Sequence, residues 1–264
     1  MDPQLKKKVV LITGVSSGIG KGTAIKFAKL GCRLSIVARR KEMLEEVAEE
    51  CRAKGAPEVL VCCHDLSVEE ECVAVVKETI EAFNDIDVLV NNAGCVCKIC
   101  SLAETTTEDF TRIMNVNARS VMTLTQQCIP HLTKSKGSVV NISSILGTHA
   151  TPGMAPYSMS KAALDMLTRM SAQELAAVGV RVNSVNPGVV YTEVFDNLGM
   201  NEIEREAFIK RSCDIHPLGR LGTIEEVANA IIFLASSLSS FTTGQILFVD
   251  GGFHDTTSSK PLYA

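Results

Sequence analysis

Short apolar runs alternate with longer stretches in which apolar residues recur every three or four positions. Each run has the length of a strand and ends in glycine or in polar residues. Seven runs of this kind predict seven strands: "KVVLITG", "RLSIVA", "EVLVCC", "IDVLVNNAG", "GSVVNISS", "VRVNSVNPG" and "QILFVDGG". Because successive positions in these runs are apolar, both faces of the strands are expected to be covered.

The stretches between the runs predict amphipathic helices. After the first strand, Ala24, Phe27 and Ala28 share a face, and Gly31 ends the pattern. Two further sets recur at helical spacing, namely Leu44, Val47, Ala48 and Cys51, and then Val73, Val76, Ile80 and Phe83. Three more helices are predicted at about 108 to 132, about 156 to 177 and about 224 to 235.

Strands that alternate with helices indicate an α/β protein with a doubly wound, mostly parallel sheet of about seven strands and helices on both faces. No repeat or linker divides the chain, so we expect a single domain over residues 1–264, with its motifs over about 7–253 and a tail from about 256. In such sheets ligands bind outside the carboxyl ends of the strands. The polar segments that follow the strands are therefore expected to meet in one crevice.

The segment after the first strand, "TGVSSGIGKG", combines glycine with serine and lysine. It does not complete the nucleoside-triphosphate loop G-x-x-x-x-G-K-[ST], because Val15 and Gly22 stand at the required glycine and hydroxyl positions. Its glycines, Gly14, Gly18 and Gly20, also depart from the G-x-G-x-x-G pattern. A phosphate bound here would lie at a helix N-terminus, where amides and the helix dipole favour an anion. The alternative is a turn that only joins a strand to a helix.

Composition narrows the classes of partner. A net charge of −4, with no basic run beyond Lys6, Lys7 and Lys8, gives no basic surface for nucleic acid. The longest apolar run, "AIIFLA" at 230 to 235, is far shorter than the roughly 20 residues that cross a membrane. The apolar run near the N-terminus is also too short for a secretory signal. We therefore expect a cytoplasmic protein that binds a small molecule, and neither nucleic acid nor a membrane.

The cysteines offer one candidate metal site. Of the 10 cysteines, Cys95, Cys97 and Cys100 are grouped in "CVCKIC". Zinc sites combine C-x-x-C with a second such pair or with two histidines, and no such partner follows closely here. We therefore predict free thiols and no metal, with a zinc site as the alternative.

One tyrosine has the features of an acid–base group. Of the 3 tyrosines, only Tyr157 has a lysine four residues later, Lys161, and this spacing places both on one helix face. A positive charge near a tyrosine lowers its pKa from the ordinary value of about 10. Ser143 and Ser144 end a strand, and consecutive strand residues point to opposite faces, so only one of the two hydroxyls is expected at the site. The alternative for Tyr157 and Lys161 is an incidental surface pair.

Eight motifs in order resemble the short-chain dehydrogenase/reductase family: "TGVSSGIG", "NNAG", "NVN", "NISS", "YSMSK", "NPGVVYT", "HPLGRLG" and "FVDGG". The resemblance implies a Rossmann fold, a nicotinamide dinucleotide, and hydride transfer between a carbonyl and an alcohol. It implies that Tyr157 is the general acid or base and that Ser144 binds the substrate oxygen. Lys161 would hold the ribose and pass on the proton, and Asn117 would anchor a water at a distorted helix turn. A buried structural amide is the alternative for Asn117.

The residues after the second strand distinguish the two nicotinamide cofactors. NAD-binding sheets place an acid about 20 residues beyond the glycines, where this chain has Arg39 and Arg40. Guanidinium groups attract a 2′-phosphate, so we predict NADP(H), with Arg39 as the first candidate, Arg40 as the second and Ser16 assisting. The alternative is that both arginines are merely solvated at the start of a helix.

The remaining cofactor contacts come from the resemblance. It implies that Asp65 and Leu66 border the adenine, although Asp65 would also suit a helix cap. It implies that Asn91, Ala93 and Gly94 pass beside the ribose. The predicted cofactor-binding residues are Gly14, Ser16, Ser17, Gly18, Ile19, Gly20, Arg39, Arg40, Asp65, Leu66, Asn91, Ala93, Gly94, Tyr157, Lys161, Pro187, Gly188, Val190 and Thr192.

The segment between Thr192 and His216 predicts a lid over the substrate. Residues 95–100 and 145–154 are expected to form the other walls, and an apolar enclosure fits a lipophilic carbonyl compound. An ordinary surface helix would show much the same pattern. The apolar lid residues are Val194, Phe195, Leu198, Met200, Ile203 and Phe208.

The resemblance covers 3-oxoacyl-thioester reductases and carbonyl and steroid reductases, and it does not choose between their substrates. It implies a homotetramer, or a homodimer, in which the helices that carry Asn117 and Tyr157 pair with those of other subunits. The alternative function is a non-catalytic dinucleotide-binding sensor or interaction protein. The presence of Asn117, Ser144, Tyr157 and Lys161 together favours an enzyme.

Overall fold

The computed structural model describes residues 5–193, 198 and 200–255. Its strands are β1 Val9–Thr13, β2 Arg33–Ala38, β3 Val59–Cys63, β4 Val88–Asn91, β5 Ser138–Ile142, β6 Arg181–Pro187 and β7 Ile246–Val249. They form one 7-stranded sheet in the order β3-β2-β1-β4-β5-β6-β7. Every pair of neighbouring strands is parallel, so the predicted doubly wound sheet is confirmed.

Helices cover both faces of the sheet. They are α1 Gly18–Lys29, α2 Lys41–Ala53, α3 Glu69–Phe83, α4 Thr107–Met114, α5 Ser120–Ser135, α6 Ala155–Ala176, α7 Glu202–Ile215 and α8 Ile224–Ala235. Apolar residues of α1, α2 and α8 pack in one core, and those of α3, α5 and α6 pack in the other. Strand β1 supplies both cores, because Val10 and Ile12 face one of them and Leu11 faces the other.

The order of strands reverses between β1 and β4, which is where such sheets open a crevice at their carboxyl edge. The connection from β1 enters α1 on one side of this point, and the segment after β4 leaves on the other side. The turn after β1 and the segment after β4 therefore meet at the same place.

Two details of the predicted helices are wrong. The single helix expected from about 108 to 132 is divided into α4, a π-helical turn at Asn115–Arg119, and α5. On α3 the buried face contains Cys72, Val75 and Val76, whereas Val73 is 39% exposed. Because each residue advances about 100° around a helix, Val73 lies beside that face rather than on it.

Several predicted features lie outside the described residues, namely the tail from 256 and the lid residues Val194 and Phe195. Within the described residues, no helix combines the length and apolar character that crossing a membrane requires.

Candidate active site

The glycine turn at the end of β1 is held close to the segment after β4. Gly14 has a φ of 71°, in the region that favours glycine, and a Cβ on it would lie 2.7 Å from the Cα of Ala93. A Cβ on Gly20 would lie 2.2 Å from the backbone oxygen of Gly14. Side chains at these two positions are therefore excluded, and the turn stays narrow.

Asn92 holds this turn in place by hydrogen bonds, a clamp that the sequence did not lead us to predict. Its Nδ2 donates to the backbone oxygens of Thr13 at 2.9 Å and Gly14 at 3.0 Å. The backbone amides of Asn92 and Ala93 both donate to the Thr13 hydroxyl. Asn91 lies on the other side of the strand, where its Nδ2 donates to Asn141 Oδ1 at 2.9 Å. Successive residues of an extended strand point to opposite faces, so the sequence could have indicated that Asn91 and Asn92 have different roles.

The start of α1 fits a phosphate group. Ser17 precedes the helix with an extended backbone, its side chain makes no capping hydrogen bond to the described residues, and the first turn contains no acid. The backbone amides of this turn are thus left for an anion, which the helix dipole also favours. Lys21 pairs with Glu50 at 3.0 Å, which directs its charge away from the role that a nucleoside-triphosphate loop requires. Ile19 packs against the core that α1, α2 and α8 form on one face of the sheet.

The two arginines after β2 are exposed and have different neighbours. Arg40 Nη2 donates to the Ser16 hydroxyl at 2.9 Å, so Arg40 and the glycine turn are direct neighbours. Arg39 lies near Asp65. Partial burial raises the pKa of the Asp65 carboxyl, but hydrogen bonds from Ser67 and the charge of Arg39 outweigh this and lower the pKa overall.

The structure shows Asp65 in a turn rather than at a helix cap. Its Oδ1 accepts from the backbone amide of Ser67 at 2.9 Å, and the residue that precedes α3 is Val68. The adjacent Leu66 is buried in the core that α3, α5 and α6 form on the other face of the sheet. Asp65 therefore shapes the end of the loop after β3, and the alternative role as the cap of α3 is wrong.

Asn117 lies in the π-helical turn, where the resemblance implied a distortion. It is buried, and its Oδ1 accepts from the backbone amide of Cys95 at 2.8 Å. Its Nδ2 donates to the backbone oxygen of Cys95 at 2.9 Å and to the hydroxyl of Ser160 at 3.0 Å. Asn117 therefore fixes the segment after β4 against α6.

Ser144 and Tyr157 meet at the end of β5. Burial raises the pKa of Tyr157 to about 12, the Ser144 hydroxyl lowers it through a hydrogen bond, and Cys95 and Cys97 raise it. Ser144 begins a short 3₁₀ turn and accepts from the amide of Leu146 at 3.1 Å. Ser143 faces away, with its hydroxyl donating to the backbone oxygen of Lys161. The structure thus brings Ser144, and not Ser143, against Tyr157.

Lys161 is buried one helical turn beyond Tyr157. Its Nζ donates to the backbone oxygen of Ile142 at 2.7 Å and lies 5.7 Å from the centre of the Tyr157 ring. Burial lowers the pKa of Lys161 to about 8, against the raising effects of Asp165 and Cys95. Tyr157 does not have the lowered pKa that the sequence predicted, because burial has a larger effect than any neighbouring charge.

The segment after β6 passes close to the glycine turn. A Cβ on Gly188 would lie 2.7 Å from His216 Nε2, and this nitrogen accepts from the backbone amide of Val189 at 3.2 Å. A Cβ on Gly18 would lie 3.4 Å from the Thr192 side chain. His216 was not predicted as a site residue, although it begins the motif "HPLGRLG". Pro187 ends β6, and Val190 forms a parallel bridge with Gly222.

An apolar wall stands beside Tyr157. Of the residues predicted for the walls and the lid, it contains 95–97, Leu146, Met154, Leu198, Met200 and Phe208, whereas Ile99 is 45% exposed. Ile203, in contrast, is 79% exposed and does not belong to it. The wall consists of Cys95, Val96, Cys97, Ile113, Leu146, Met154, Tyr157, Val189, Leu198, Met200, Phe208 and Ile209.

Two of the three grouped cysteines, Cys95 and Cys97, belong to this wall. Burial raises the pKa of Cys95 and of Cys97. Among the described residues, no group of three or more histidine, cysteine, aspartate or glutamate side chains is arranged to hold a metal ion.

The fold and the site together define an oxidoreductase of the Rossmann type. A family model described as enoyl-(acyl carrier protein) reductase matches residues 14–254. A 3-oxoacyl-[acyl-carrier-protein] reductase of Thermotoga maritima is 39% identical over 94% of this chain and 98% of its own. An L-fucose dehydrogenase of Oryctolagus cuniculus is 36% identical over 93% of this chain and 84% of its own.

Solved structures agree with these sequence matches. The crystal structure of a short-chain dehydrogenase/reductase of unknown function from Caenorhabditis elegans, solved with cofactor, has a TM-score of 0.91 and 35% identity. The match covers 98% of this chain and 100% of that one. The chain belongs to the short-chain dehydrogenase/reductase family, whose members use nicotinamide dinucleotides.

Proposed function

We propose that the protein is an NADP(H)-dependent oxidoreductase that interconverts a carbonyl and a primary or secondary alcohol on a small lipophilic substrate. The observation that carries this proposal is the meeting of Ser144, Tyr157 and Lys161 at the carboxyl edge of the sheet, beside an apolar wall. Two relatives, a 3-oxoacyl-[acyl-carrier-protein] reductase and an L-fucose dehydrogenase, are named for chemistry of this class.

Tyr157 is suited to supply the proton in the reducing direction. With a pKa of about 12 its hydroxyl is protonated at neutral pH, which is the form that a general acid requires. Ser144 binds the substrate oxygen beside it and stabilises the negative charge that develops there. Lys161, with a pKa of about 8, carries a positive charge at neutral pH and stabilises the tyrosinate that Tyr157 becomes once it has given up its proton.

The chain's own residues provide a place for the cofactor, which when bound supplies the hydride. The amides at the start of α1 would hold its diphosphate, and Asp65 with Leu66 would border its adenine. Pro187, Gly188, Val190 and Thr192 would border the nicotinamide. Asn91, Ala93 and Gly94 would pass beside the ribose. A Cβ on Gly94 would lie 3.7 Å from Lys161 Nζ and 3.5 Å from Asn117 Oδ1, so glycine leaves space above these groups.

The preference for NADP(H) rests on Arg39, Arg40 and Ser16. Arg40 is already bonded to Ser16 and Arg39 faces Asp65, so a 2′-phosphate between them would accept from both guanidinium groups. A charge-assisted hydrogen bond contributes about 1.5–3 kcal/mol, or roughly a tenfold to hundredfold change in affinity.

We expect Arg39→Asp and Arg40→Asp each to lower kcat/KM for NADPH by about tenfold or more, while kcat/KM for NADH is kept or rises. The measurement is the rate with each cofactor at a fixed substrate concentration. Arg52→Asp, a charge reversal at an exposed α2 position, is the matched control and should leave the ratio unchanged. An unaltered ratio in both test variants would show that the arginines do not select the cofactor.

The function itself is tested by NADPH consumption with a panel of carbonyls: long-chain 3-oxoacyl thioesters, steroid ketones, quinones and polar sugars. Turnover of lipophilic members in preference to the sugars is the expected result, because apolar side chains pack together beside Tyr157. Efficient turnover of the sugars alone would contradict a lipophilic substrate.

Further proposals concern the state of the protein in solution. We propose a homotetramer formed through α5 and α6, on whose surfaces Met122, Met159, Met166 and Met170 are exposed. A solution mass of one chain would oppose it. The single-domain organisation and the cytoplasmic location stay predictions.

A further inference from the structure

A buried polar cluster lies behind Ser144 and Lys161, and neither the cofactor site nor the substrate wall includes it. Its centre is Asp165 on α6, which is 3% exposed. Asn186 of β6 is fully buried, and its Nδ2 donates to Asp165 Oδ2 at 2.9 Å. The Ser184 hydroxyl donates to Asn186 Oδ1 at 2.6 Å, which fixes the orientation of the amide. A buried carboxylate in such a network has a cost that its partners must offset.

The cluster is connected to the backbone of Ser144. The same Nδ2 of Asn186 also donates to the backbone oxygen of Ser144 at 3.0 Å. That oxygen accepts from the amide of Gly147 at 2.9 Å as well. A Cβ on Gly147 would lie 2.6 Å from Asp165 Oδ2, so the carboxylate packs directly against the 3₁₀ turn that Ser144 begins. Asp165 and Asn186 therefore fix the turn that carries the substrate-binding hydroxyl.

The cluster is also connected to Lys161 by charge. Asp165 follows Lys161 by four residues, so both side chains lie on one face of α6. Burial lowers the pKa of Lys161 to about 8, and Asp165 raises it against this effect. Because about 8 is close to neutrality, the charge on Asp165 decides whether Lys161 is protonated under ordinary conditions.

We propose that Asp165 is a positioning residue that fixes the Ser144 turn through Asn186 and keeps Lys161 positively charged. This inference rests on the proposed carbonyl–alcohol chemistry. Asp165 would then belong to the site without being a catalytic residue, because it acts through the Ser144 turn and through Lys161.

The charged and titratable neighbours of this pair come from few elements. Within the described structure, Lys161 and Arg169, both on α6, are the cations that act on Asp165, while Ser143 after β5 and Asn186 of β6 are its uncharged donors. Burial has the largest effect on the Asp165 carboxyl and leaves its pKa raised overall, although these four groups act to lower it. Lys161 also faces Cys95, whose thiol has a raised pKa and stays neutral near pH 8.

The test compares Asp165→Asn with the wild type from neutral to alkaline pH. Asn is nearly isosteric and its Oδ1 still accepts from Asn186, so the substitution removes mainly the charge. Removing an opposite charge lowers the pKa of a lysine, by about one unit or more for a close pair. We expect the alkaline fall in carbonyl reduction, and the alkaline fall in NADPH affinity, to move to lower pH by about one unit.

Two further variants separate charge from architecture. Asp165→Glu retains the charge and should restore the position of the alkaline fall, even where the maximal rate is reduced. Asn186→Ala removes the bridge but leaves the charge, so it should lower kcat at every pH without moving the alkaline fall toward neutrality. Thermal melting shows whether each variant is folded. If Asp165→Asn does not fold, Asp165→Glu and Asn186→Ala still test the proposal.

An alkaline fall that is unmoved in Asp165→Asn, with a rate lowered equally at every pH, would reduce Asp165 to a structural role and overturn the proposal. So would an Asp165→Glu variant that behaves as Asp165→Asn does. NADPH affinity is measured without any substrate. A wild type that binds NADPH but reduces no carbonyl would therefore refute the proposed function, while the binding profiles would still decide the effect of Asp165 on Lys161.

Discussion

Replacing Tyr157 by phenylalanine is expected to lower the rate of carbonyl reduction by about two to four orders of magnitude, the usual contribution of a general acid. The ring is retained, so its packing in the apolar wall and its position 5.7 Å from Lys161 Nζ should persist. NADPH affinity should change little, because only the proton donor is removed. The measurement is a single-turnover rate together with a binding titration.

Tyr191→Phe is the matched control, since it deletes the same hydroxyl from a side chain that is 57% exposed. We expect this variant to retain its rate within a few fold. Equal losses in both variants would indicate a general effect of removing a tyrosine hydroxyl. Full activity of Tyr157→Phe would remove Tyr157 from the chemistry.

Replacing Gly20 by alanine is expected to weaken NADPH binding by about tenfold or more. The added Cβ would lie 2.2 Å from the backbone oxygen of Gly14 and 2.4 Å from Asn92 Nδ2. Backbone cannot yield as the end of a side chain does, so the glycine turn must open and release the clamp made by Asn92. The turn would then no longer present its amides at the start of α1.

Gly22→Ala is the matched control, because it adds the same atom two residues further along α1. Its Cβ would lie 2.3 Å from Cγ2 and 3.7 Å from Cβ of Ile224, so it disturbs a side chain of α8 and not the backbone of the glycine turn. Calorimetric titration with NADPH and thermal melting would compare the two variants. Retained affinity in Gly20→Ala would show that the turn does not hold the cofactor.

The strands were predictable because each is an apolar run, and the five inner strands β2, β1, β4, β5 and β6 are largely buried. Each run also ends at the residues that form the site, so the convergence of these segments followed from the rule for parallel sheets. The pairing of Tyr157 with Lys161 followed from helical spacing alone. The resemblance then indicated which of the polar residues at each strand end were candidates for the site.

The features that were not predictable depend on contacts between distant parts of the chain. The resemblance implied a distorted turn at Asn117, but the partner was not predictable: Asn117 bonds to the backbone of Cys95, 22 residues away. Helical spacing gives no sign of such a partner. The direction of Lys161 Nζ toward the oxygen of Ile142 likewise depends on the packing of α6 against β5.

The raised pKa of Tyr157 was also not predictable, because burial at a site becomes known only when the surrounding elements are in place. The sequence pointed to a neighbouring positive charge, whereas the structure encloses the hydroxyl among Ser144, Cys95 and Cys97. The network from Asp165 through Asn186 to Ser144 links three separate segments in the same way.

The most direct test of the central claim is the fate of the hydride. NADPH carrying deuterium at the transferred position would be supplied with the best lipophilic carbonyl of the panel, and the alcohol product analysed by mass spectrometry. We predict that the wild type forms an alcohol with one deuterium on the carbinol carbon. Tyr157→Phe should form the same product at least about a hundredfold more slowly. Tight NADPH binding with no labelled alcohol from any carbonyl would contradict this prediction and favour a dinucleotide-binding sensor.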